Sequence, residues 1–513
     1  MSDYNEQLEQ KRRMSEQRKA RKRKRKQRAL IMRGATLALL LVVLVTCIIL
    51  VVRNLKGNKV EKQDTPTEQT TNTAGNTGTG TGEETAEATE TPADTPEPTG
   101  DKASIMAQAD VLAAGYDYDG AIALLQTVPD YANDSDVATA ISNYTATKST
   151  CVAADVEKTP HIFYHSLVNE PSRTFDVAKL GQSFVDGHQT WMATVSEFDK
   201  ITQQLYDNGY VYVRLRDLVV ETKDADGTVH FTPNKSLMLP PGKKPIVLSL
   251  DDMSYYHAYE AGGYPNKAVI DENGDVKCEY TDANGNTTVG DYDSVPRLNT
   301  FLKEHPDGSY KGARGILAMT GYNGVLGYRT DVAYKTGEKL TADQQAWLDK
   351  HPEFNWDTDV AEATKVANAI KEEGWEFASH TWGHISVTDK SAETLKTDND
   401  KWVNTVENIV GPVDTIIFAH GNDIGDWHDY SAENEAYAYY KSAGYNYFCN
   451  VDGSQPYWIQ IRDNYVRQGR IDLDGFMLNK AKNGQTTVLN GMIDAASVWD
   501  PERPAFEAAT GKS

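Results

Sequence analysis

Two short stretches of the sequence carry residue types that bind metal ions in proteins. Residues 379–384 read SHTWGH, which places His380 and His384 four positions apart. Residues 246–252 read IVLSLDD, an apolar run that ends in Asp251 and Asp252. Two neutral imidazoles and one carboxylate are the donor set of many catalytic zinc sites, which keep one position open for water. Histidines at this spacing also occur as ordinary surface or core residues, so the motif depends on its structural context.

Strands that alternate with helices supply this context. From Thr159 onward, short apolar runs are separated by helical patterns, several of which end in a glycine suited to a helix C-terminus. Nearly unbroken apolar strands in this alternation predict a parallel sheet covered by helices, and about seven units predict an α/β barrel. The runs occupy residues 161–165, 210–215, 245–250, 314–320, 375–380, 414–420 and 445–450.

Polar residues stand where these predicted strands end. In a parallel barrel the C-terminal ends of all strands open on one face, and catalytic residues collect there. We therefore expect the two aspartates to lie beside imidazoles from other strands. The strand-end residues are His165, Asp251, Asp252, His380, His420, Asn450 and Asp452.

The N-terminal residues predict a membrane anchor. The chain has 513 residues and a formal net charge of −22, which argues against general nucleic-acid binding. Residues 1–33 are nevertheless strongly basic, and the uncharged apolar run at 34–52 follows them. That run reaches about 28 Å as a helix, close to the thickness of a bilayer core, and is longer than the apolar part of a cleaved signal peptide. We expect a single transmembrane helix, with the basic tail in the cytoplasm and the rest outside the cell.

Two further segments separate this span from the predicted barrel. Residues 53–102 are rich in Thr, Gly, Glu and Pro and are expected to be a disordered linker. Residues 103–150 place small and apolar residues at helical spacing and look like a tetratricopeptide helix pair. A single copy cannot bury its faces alone, so a helical spacer packed on the next domain is favoured over a site for other cell-surface proteins.

An ordered set of motifs resembles the polysaccharide deacetylase family, also called carbohydrate esterase family four. The resemblance extends over roughly residues 160–480, and no single motif carries it alone. It implies a distorted (β/α)7 barrel within a catalytic domain at 159–500, in agreement with the strand pattern. The motifs are HIFYHSLV, KKPIVLSLDDM, FASHTWGH and IIFAHGNDIG.

The resemblance also implies roles for the site residues. Asp251 matches the general base of the family, and Asp252, His380 and His384 match its metal ligands. The implied cofactor is one divalent ion, zinc first, with Co²⁺, Ni²⁺ and Mn²⁺ as alternatives.

The general acid of the family is a separate question. Many members use a histidine late in the chain, but no histidine follows His428 here. The exopolysaccharide deacetylases, a branch with a permuted barrel, instead use the histidine of a Tyr-His pair on the first strand. Tyr164 and His165 match that pair, so the resemblance implies His165 as the general acid.

Several positions depart from the family pattern. Met253 replaces the usual glycine, and the third motif lacks its proline, with His420 where an aromatic residue is expected. His420 is a candidate to contact substrate, to orient Asp251, or only to fill space. Arg470 resembles part of a late family segment and is a further candidate substrate contact.

An insertion follows the two aspartates. Residues 266–286 carry two Asn-Gly pairs around alternating residues, which predicts a β-hairpin. Tyr255, Tyr256, Tyr259 and Tyr264 lie beside it. These rings are candidates to stack on sugars, because an aromatic side chain offers a flat apolar face and a polar tip. Packing of the hairpin onto the barrel is at least as good an interpretation.

Together these features predict a membrane-anchored, extracellular, metal-dependent N-deacetylase. Its expected partner is an N-acetylated glycan, either peptidoglycan or an exopolysaccharide, with no role for nucleic acid. Two alternatives use the same barrel. One is a metal-dependent esterase that removes O-acetyl groups, and the other is a catalytically impaired glycan-binding protein.

Overall fold

Seven parallel strands close into a barrel. Each strand pairs with the next one along the chain, and the last pairs with the first, where Ile471 lies opposite Ile162. This closed ring is the (β/α)7 architecture that the alternating pattern predicts. The strands are β1 His161–Tyr164, β2 Lys244–Asp251, β3 Ile316–Met319, β4 Glu376–Ser379, β5 Thr415–Ile417, β6 Tyr447–Val451 and β7 Tyr465–Asp472.

The computed structural model describes residues 100–388, 390–425 and 428–505. Within these ranges, no helix combines the length and the apolar character that a membrane span requires. The basic tail, the apolar run at 34–52 and residues 53–99 of the linker lie outside the described residues, so what the sequence predicts for them stays a prediction.

Helices cover the outside of the barrel. A helix follows every strand except β6, after which the strand Trp458–Arg462 turns back and pairs antiparallel with β7. In chain order the main helices are α1 Lys102–Ala114, α2 Tyr118–Leu125, α3 Ser135–Thr150, α4 Val195–Asp207, α5 Ser294–Glu304, α6 Trp356–Glu372, α7 Ala392–Trp402, α8 Glu435–Ser442 and α9 Gly475–Lys482. Further helices are Pro171–Thr174, Val177–Leu180, Gln182–Trp191, Val332–Thr336, Ala342–Lys350, Asn408–Val410 and Ala495–Val498.

Alternation along each strand divides the core into two layers. In β3, Ile316 and Ala318 belong to the apolar cluster that fills the barrel, whereas Leu317 and Met319 pack with the surrounding helices. Successive side chains of a strand point to opposite faces, so a fully buried strand needs apolar residues on both. This is why the apolar runs of the sequence are nearly unbroken.

One of the seven predicted strands is not part of the closed ring. The run at 210–215 forms the short strand Tyr210–Tyr212, which pairs with the first residues of β2 and has one isolated bridge, from Tyr212 to Ser309. The seventh position belongs to β7, which the apolar pattern did not predict. Arg467, Gln468 and Arg470 interrupt the pattern of β7, although all three side chains are buried. They are buried because each has a polar partner inside the protein.

The insertion after β2 forms a three-stranded antiparallel sheet. Its strands are Lys267–Ile270, Val276–Thr281 and Thr287–Gly290. The two Asn-Gly pairs lie at its turns, where Gly274 and Gly285 have φ angles of 87° and 84°. Glycine suits such turns because it adopts positive φ without steric cost. The predicted hairpin is confirmed, with one strand added. Two smaller antiparallel pairs are Val152–Ala153 with Met238–Leu239 and Val219–Lys223 with Val229–Pro233.

Helices α1, α2 and α3 pack on the side of the barrel domain. Their apolar residues form one cluster with Val211 and Leu239. The Tyr116 hydroxyl donates a hydrogen bond of 2.6 Å to the carbonyl of Asp307. The segment therefore buries its apolar face against the following residues, as a packed spacer would.

Candidate active site

The C-terminal ends of the strands bring the predicted site residues together. Asp251 is the last residue of β2 and Asp252 follows it, while His380 follows β4. His380 Nε2 lies 3.9 Å from an oxygen of Asp251 and 4.0 Å from an oxygen of Asp252. These residues come from separate parts of the sequence, so their convergence is a consequence of barrel closure.

Asp252, His380 and His384 have the geometry of a metal site. One donor atom from each of the three lies within 4.8 Å of the other two. His384 Nε2 is 3.7 Å from an Asp252 oxygen. The Nδ1 of His380 is 2.8 Å from the carbonyl oxygen of Ile417, which can only accept, so Nδ1 carries the proton. Nε2 of His380 therefore carries a free lone pair, and it is the ring nitrogen that faces Asp252. This arrangement is usual for a histidine that binds a metal.

The surroundings of His380 and Asp252 favour the protonation states that a metal requires. Burial lowers the pKa of His380 to about 4, despite the two nearby carboxylates, so this imidazole is neutral at physiological pH. Burial raises the pKa of Asp252, but electrostatic interactions with the nearby His384 and His380 rings, with smaller effects of His165 and Tyr256, outweigh it and the net pKa is lowered. The Tyr256 hydroxyl, 2.7 Å from Asp252 Oδ1, donates to the same carboxylate. Two imidazole nitrogens and one carboxylate oxygen fit a divalent ion such as zinc.

The loop that carries the two histidines is not helical. Four positions apart on a helix, they would share one face, but Thr381 and His384 instead have φ angles of 62° and 48°. The carboxylate of Asp398 on α7 accepts the backbone N–H groups of Trp382 and Gly383 at 2.7 and 3.0 Å. These hydrogen bonds hold a loop that is tighter than a helical turn.

Residues with unfavourable backbone angles concentrate at this site. Among the described non-glycine residues, ten have positive φ, and five of them lie here. Such conformations persist only where the surrounding structure holds them, and they are frequent at functional sites. The five are Asp252, Tyr255, Thr381, His384 and His420.

Arg470 is the partner of Asp251. Its Nη1 and Nη2 donate to the two carboxylate oxygens at 2.7 and 2.9 Å, and the side chain has no exposed surface. Burial raises the pKa of Asp251, but the charge and hydrogen bonds of Arg470, together with His380 and His165, outweigh it and hold the net pKa below its usual value. The position differs from the substrate contact expected from the sequence, since a fully buried guanidinium cannot reach a bound glycan.

A chain of buried polar groups continues from Arg470 into the barrel. Arg470 Nη1 donates to the Ser249 hydroxyl, which lies 3.0 Å from His161 Nε2. His161 Nδ1 is in turn 3.0 Å from the side-chain oxygen of Gln468. Burial holds the pKa of His161 well below its usual value, so this ring is neutral. The chain orients the guanidinium that faces Asp251.

Comparison with known proteins identifies the class of this barrel. Residues 347–447 match the family model described as polysaccharide deacetylase, a span that includes His380, His384 and His420. The chain carries a polysaccharide deacetylase domain. The enzyme is thus a hydrolase, a carbohydrate deacetylase, and the family resemblance seen in the motifs is confirmed.

Further comparisons add little detail to the deacetylase domain. A solved structure described as "Streptococcus pyogenes deacetylase PplD in complex with acetate" is 13% identical, with 63% of this chain and 96% of that chain covered and a TM-score of 0.29. No curated protein matches the chain significantly.

His165 lies at the edge of the deacetylase site, immediately after β1. Its Nδ1 is 3.1 Å from the carbonyl oxygen of Trp191, so Nδ1 carries a proton and Nε2 is the atom free to exchange one. A His165 charge lowers the pKa of both Asp251 and Asp252, although burial raises each of them. This places His165 beside the two carboxylates, as the motif resemblance implies.

His420 contacts the loop that carries His380 and His384, and it does not contact Asp251. Its ring centroid is 4.3 Å from that of His384, and its Nε2 donates to the His384 carbonyl oxygen at 3.1 Å. The residue is exposed. Of the three roles considered from the sequence, orientation of Asp251 has no contact to support it, whereas an exposed ring beside His384 remains a candidate substrate contact.

The tyrosines of the insertion are buried. Tyr255 and Tyr256 are 2% and 6% exposed, and Tyr259 and Tyr264 belong to a closed aromatic cluster. Stacking on a sugar requires an open ring face, which a buried ring lacks. The packing interpretation is therefore favoured, and Tyr256 acts on the deacetylase site only through its hydroxyl.

Three contacts of the deacetylase site were not predicted from the sequence. They are the Arg470–Asp251 pair, the Tyr256–Asp252 hydrogen bond and the Asp398 loop clamp. Each joins residues whose approach depends on the folded barrel. Arg470 was the one local signal of these contacts in the sequence. A charged residue inside an otherwise buried segment requires a partner.

Proposed function

We propose that this protein is a metal-dependent N-deacetylase of an N-acetylated polysaccharide. The observation that carries the proposal is the donor set of Asp252, His380 and His384, within 4.8 Å of one another and next to Asp251. The matched family supplies the reaction class, and this donor set supplies the case for a metal.

Asp252, His380 and His384 would hold the ion. Its two nitrogen donors and one carboxylate favour zinc, with Co²⁺, Ni²⁺ and Mn²⁺ as alternatives. A divalent ion bound there supplies Lewis-acid chemistry, which polarises an acyl carbonyl and makes water easier to deprotonate.

Asp251 is the proposed general base. It lies beside the donor set, and Arg470 keeps its carboxylate ionised, as a proton acceptor must be. Both Asp251 oxygens accept hydrogen bonds from Arg470, which fixes the plane of the carboxylate and leaves its remaining lone pairs to receive a proton from water.

His165 is the proposed general acid. Cleavage of an amide expels a nitrogen that must be protonated to leave, and a doubly protonated His165, with Nδ1–H held by the Trp191 carbonyl, would give that proton from Nε2. The Trp191 carbonyl holds the ring in one orientation throughout the reaction. The Tyr164-His165 pair also favours the exopolysaccharide-deacetylase branch over the branches that use a late histidine.

Acetate release distinguishes this function from its alternatives. We expect the purified protein to release acetate from N-acetylglucosamine oligomers and to be much slower on O-acetylated xylan. The reverse preference would identify an O-acetyl esterase. Binding without acetate release from either substrate would identify a glycan-binding protein.

We also propose that the enzyme is anchored in the cell membrane with its catalytic domain outside. The apolar run at 34–52 and its basic flank support this arrangement. Protease added to intact cells should cut within residues 63–100 and release the domain. Protection of the domain until the cells are lysed would contradict the proposal.

A further inference from the structure

A buried arginine from the C-terminal part of the chain pairs with the start of α4. The side chains of Arg503 and Glu197 form an ion pair that has no exposed surface. Nε of Arg503 donates to one Glu197 oxygen and Nη2 donates to the other, each at 2.7 Å. The two residues are 306 positions apart, and Glu197 lies in the first turn of α4. The pair therefore ties the C-terminal residues to the segment that precedes this helix.

The same guanidinium also holds the backbone of that segment. Nη1 of Arg503 donates to the carbonyl of Gln189 at 3.2 Å, and Nη2 donates to the carbonyl of Met192. Between these two residues lies Trp191, whose carbonyl oxygen is 3.1 Å from Nδ1 of His165. Trp191 is 49% exposed, so its own side chain contributes little packing that could fix the turn. The position of the Trp191 carbonyl therefore depends on its anchored neighbours.

The packing around the arginine leaves no room for a shift. A Cβ atom at Gly475, the first residue of α9, would lie 2.1 Å from the Gln189 carbonyl oxygen and 2.8 Å from Nη1 of Arg503. Any side chain at Gly475 would therefore push this carbonyl and the guanidinium away. The Gln189 side chain donates in return to the carbonyl of Pro504 at 3.1 Å. The segment before α4 and the C-terminal residues thus hold each other from both sides.

Arginine is the residue type that makes all of these contacts at once. Its guanidinium carries five N–H donors in a rigid plane, whereas the lysine ammonium is a single nitrogen on a flexible stem. A lysine side chain can keep the charge opposite Glu197. It cannot reproduce a fork that spans both carboxylate oxygens and the carbonyls of Gln189 and Met192.

We propose that Arg503 is a positioning residue for the general acid, which it orients through the Trp191 carbonyl. The inference rests on the proposed function, since that function gives His165 its role. A proton donor must lie within hydrogen-bond reach of the nitrogen that it protonates, so a small displacement of the His165 ring lowers the rate. Arg503 acts at a distance, because its side chain has no exposed surface with which to contact a glycan.

The test compares two substrates in the full-length, metal-loaded protein. An amide needs the general acid because its amine leaves only when protonated, whereas 4-nitrophenyl acetate releases a phenolate that leaves without a proton. Arg503→Lys should lower kcat for N-acetylglucosamine oligomers roughly 10- to 10²-fold, since a misplacement of about 1 Å can cost 10²-fold. KM for the oligomers, the rate with 4-nitrophenyl acetate and the metal content should not change. An equal loss with both substrates would indicate a merely structural role and overturn the proposal.

Arg314→Lys is the matched control. Nη1 of Arg314 also donates to backbone carbonyls, those of Gly312 and Ala313, but the residue precedes β3 and so lies at the end of the barrel opposite the site. It should change neither activity, and the same oligomer-specific loss in this variant would overturn the proposal. Gly475→Ala, which displaces the Gln189 carbonyl, should act like Arg503→Lys and keeps the test decisive if one variant does not fold.

A double variant shows whether Arg503 acts through His165. The double variant His165→Asn, Arg503→Lys should be no slower on the oligomers than His165→Asn alone, because both changes affect the same proton transfer. Losses that multiply would overturn the proposal. If His165→Asn is slow but Arg503→Lys and Gly475→Ala match the wild-type rate, the inference fails and the proposed function stands. If His165→Asn turns over at the wild-type rate, the general-acid assignment fails and the inference fails with it.

Discussion

Arg470 and Asp251 form a two-point ion pair inside the barrel, with nitrogen–oxygen distances of 2.7 and 2.9 Å. Both side chains are almost completely buried. The two residues are 219 positions apart and sit on strands that are not neighbours, since β1 lies between β2 and β7. The pair therefore links the proposed general base to the strand that completes the barrel.

Replacing Arg470 tests this link through stability. Arg470→Met should cost about 3–5 kcal/mol at neutral pH, because it leaves the Asp251 charge buried and unpaired. Asp251→Asn in the same chain should recover much of that loss. Urea unfolding of the three proteins measures the difference, and a single-variant loss below about 1 kcal/mol would show that the pair contributes little.

The pH dependence of the same variant has a definite sign. In wild type the net pKa of Asp251 is lowered, so its stabilising effect is present above the usual carboxyl pKa and is lost as the pH falls from there toward the lowered value. Without Arg470, burial is opposed only by the smaller effects of His380 and His165, and we expect that pKa to rise. The stability gap between Arg470→Met and wild type should then narrow from pH 7 to pH 5. A constant gap would contradict the assignment.

Asp398 should determine metal affinity without touching the metal. Asp398→Ala removes the acceptor for the backbone N–H groups of Trp382 and Gly383, which releases the loop that holds His380 and His384. We expect affinity for zinc to fall about 10- to 100-fold, as for other supporting contacts of metal ligands. Asp400→Ala, an exposed carboxylate on the same helix, is the control. Equal affinity in both variants would exclude the clamp.

His165 should affect turnover and not metal content. His165→Asn should lower kcat about 10²–10⁴-fold, the usual contribution of a general acid or base, and the bound metal should remain. Steady-state kinetics and elemental analysis of the same preparation separate the alternatives. Loss of metal would make His165 a ligand, while unchanged turnover would leave the exposed His420 as the first alternative donor.

Local patterns predicted the barrel and the metal-ligand candidates because their signals are contained in short segments. The apolar runs correspond to six of the barrel strands, and each candidate ligand stands at or just after a strand end. The prediction failed for β7, since Arg467, Gln468 and Arg470 conceal a buried strand. Their partners Asp423, His161 and Asp251 lie elsewhere in the chain, so only the folded protein shows why these polar side chains are inside.

The tyrosines beside the insertion and the loop that carries His380 and His384 show a second limit of prediction from the sequence. Composition indicates that Tyr255 and Tyr256 are suited to sugar stacking, but burial decides whether a ring face is open, and burial depends on the inserted sheet. On a helix, the His-x-x-x-His spacing would place the two rings on one side. The rings are brought together instead by a loop with positive φ at Thr381 and His384.

Metal content measured together with acetate release tests the central claim most directly. The purified protein should hold about one divalent ion per chain and deacetylate N-acetylglucosamine oligomers. His384→Ala should lose most of the ion and the activity together, whereas His230→Ala, a histidine outside the site, should lose neither. Acetate release by a protein that stays metal-free after reconstitution, or full activity in His384→Ala, would contradict the account.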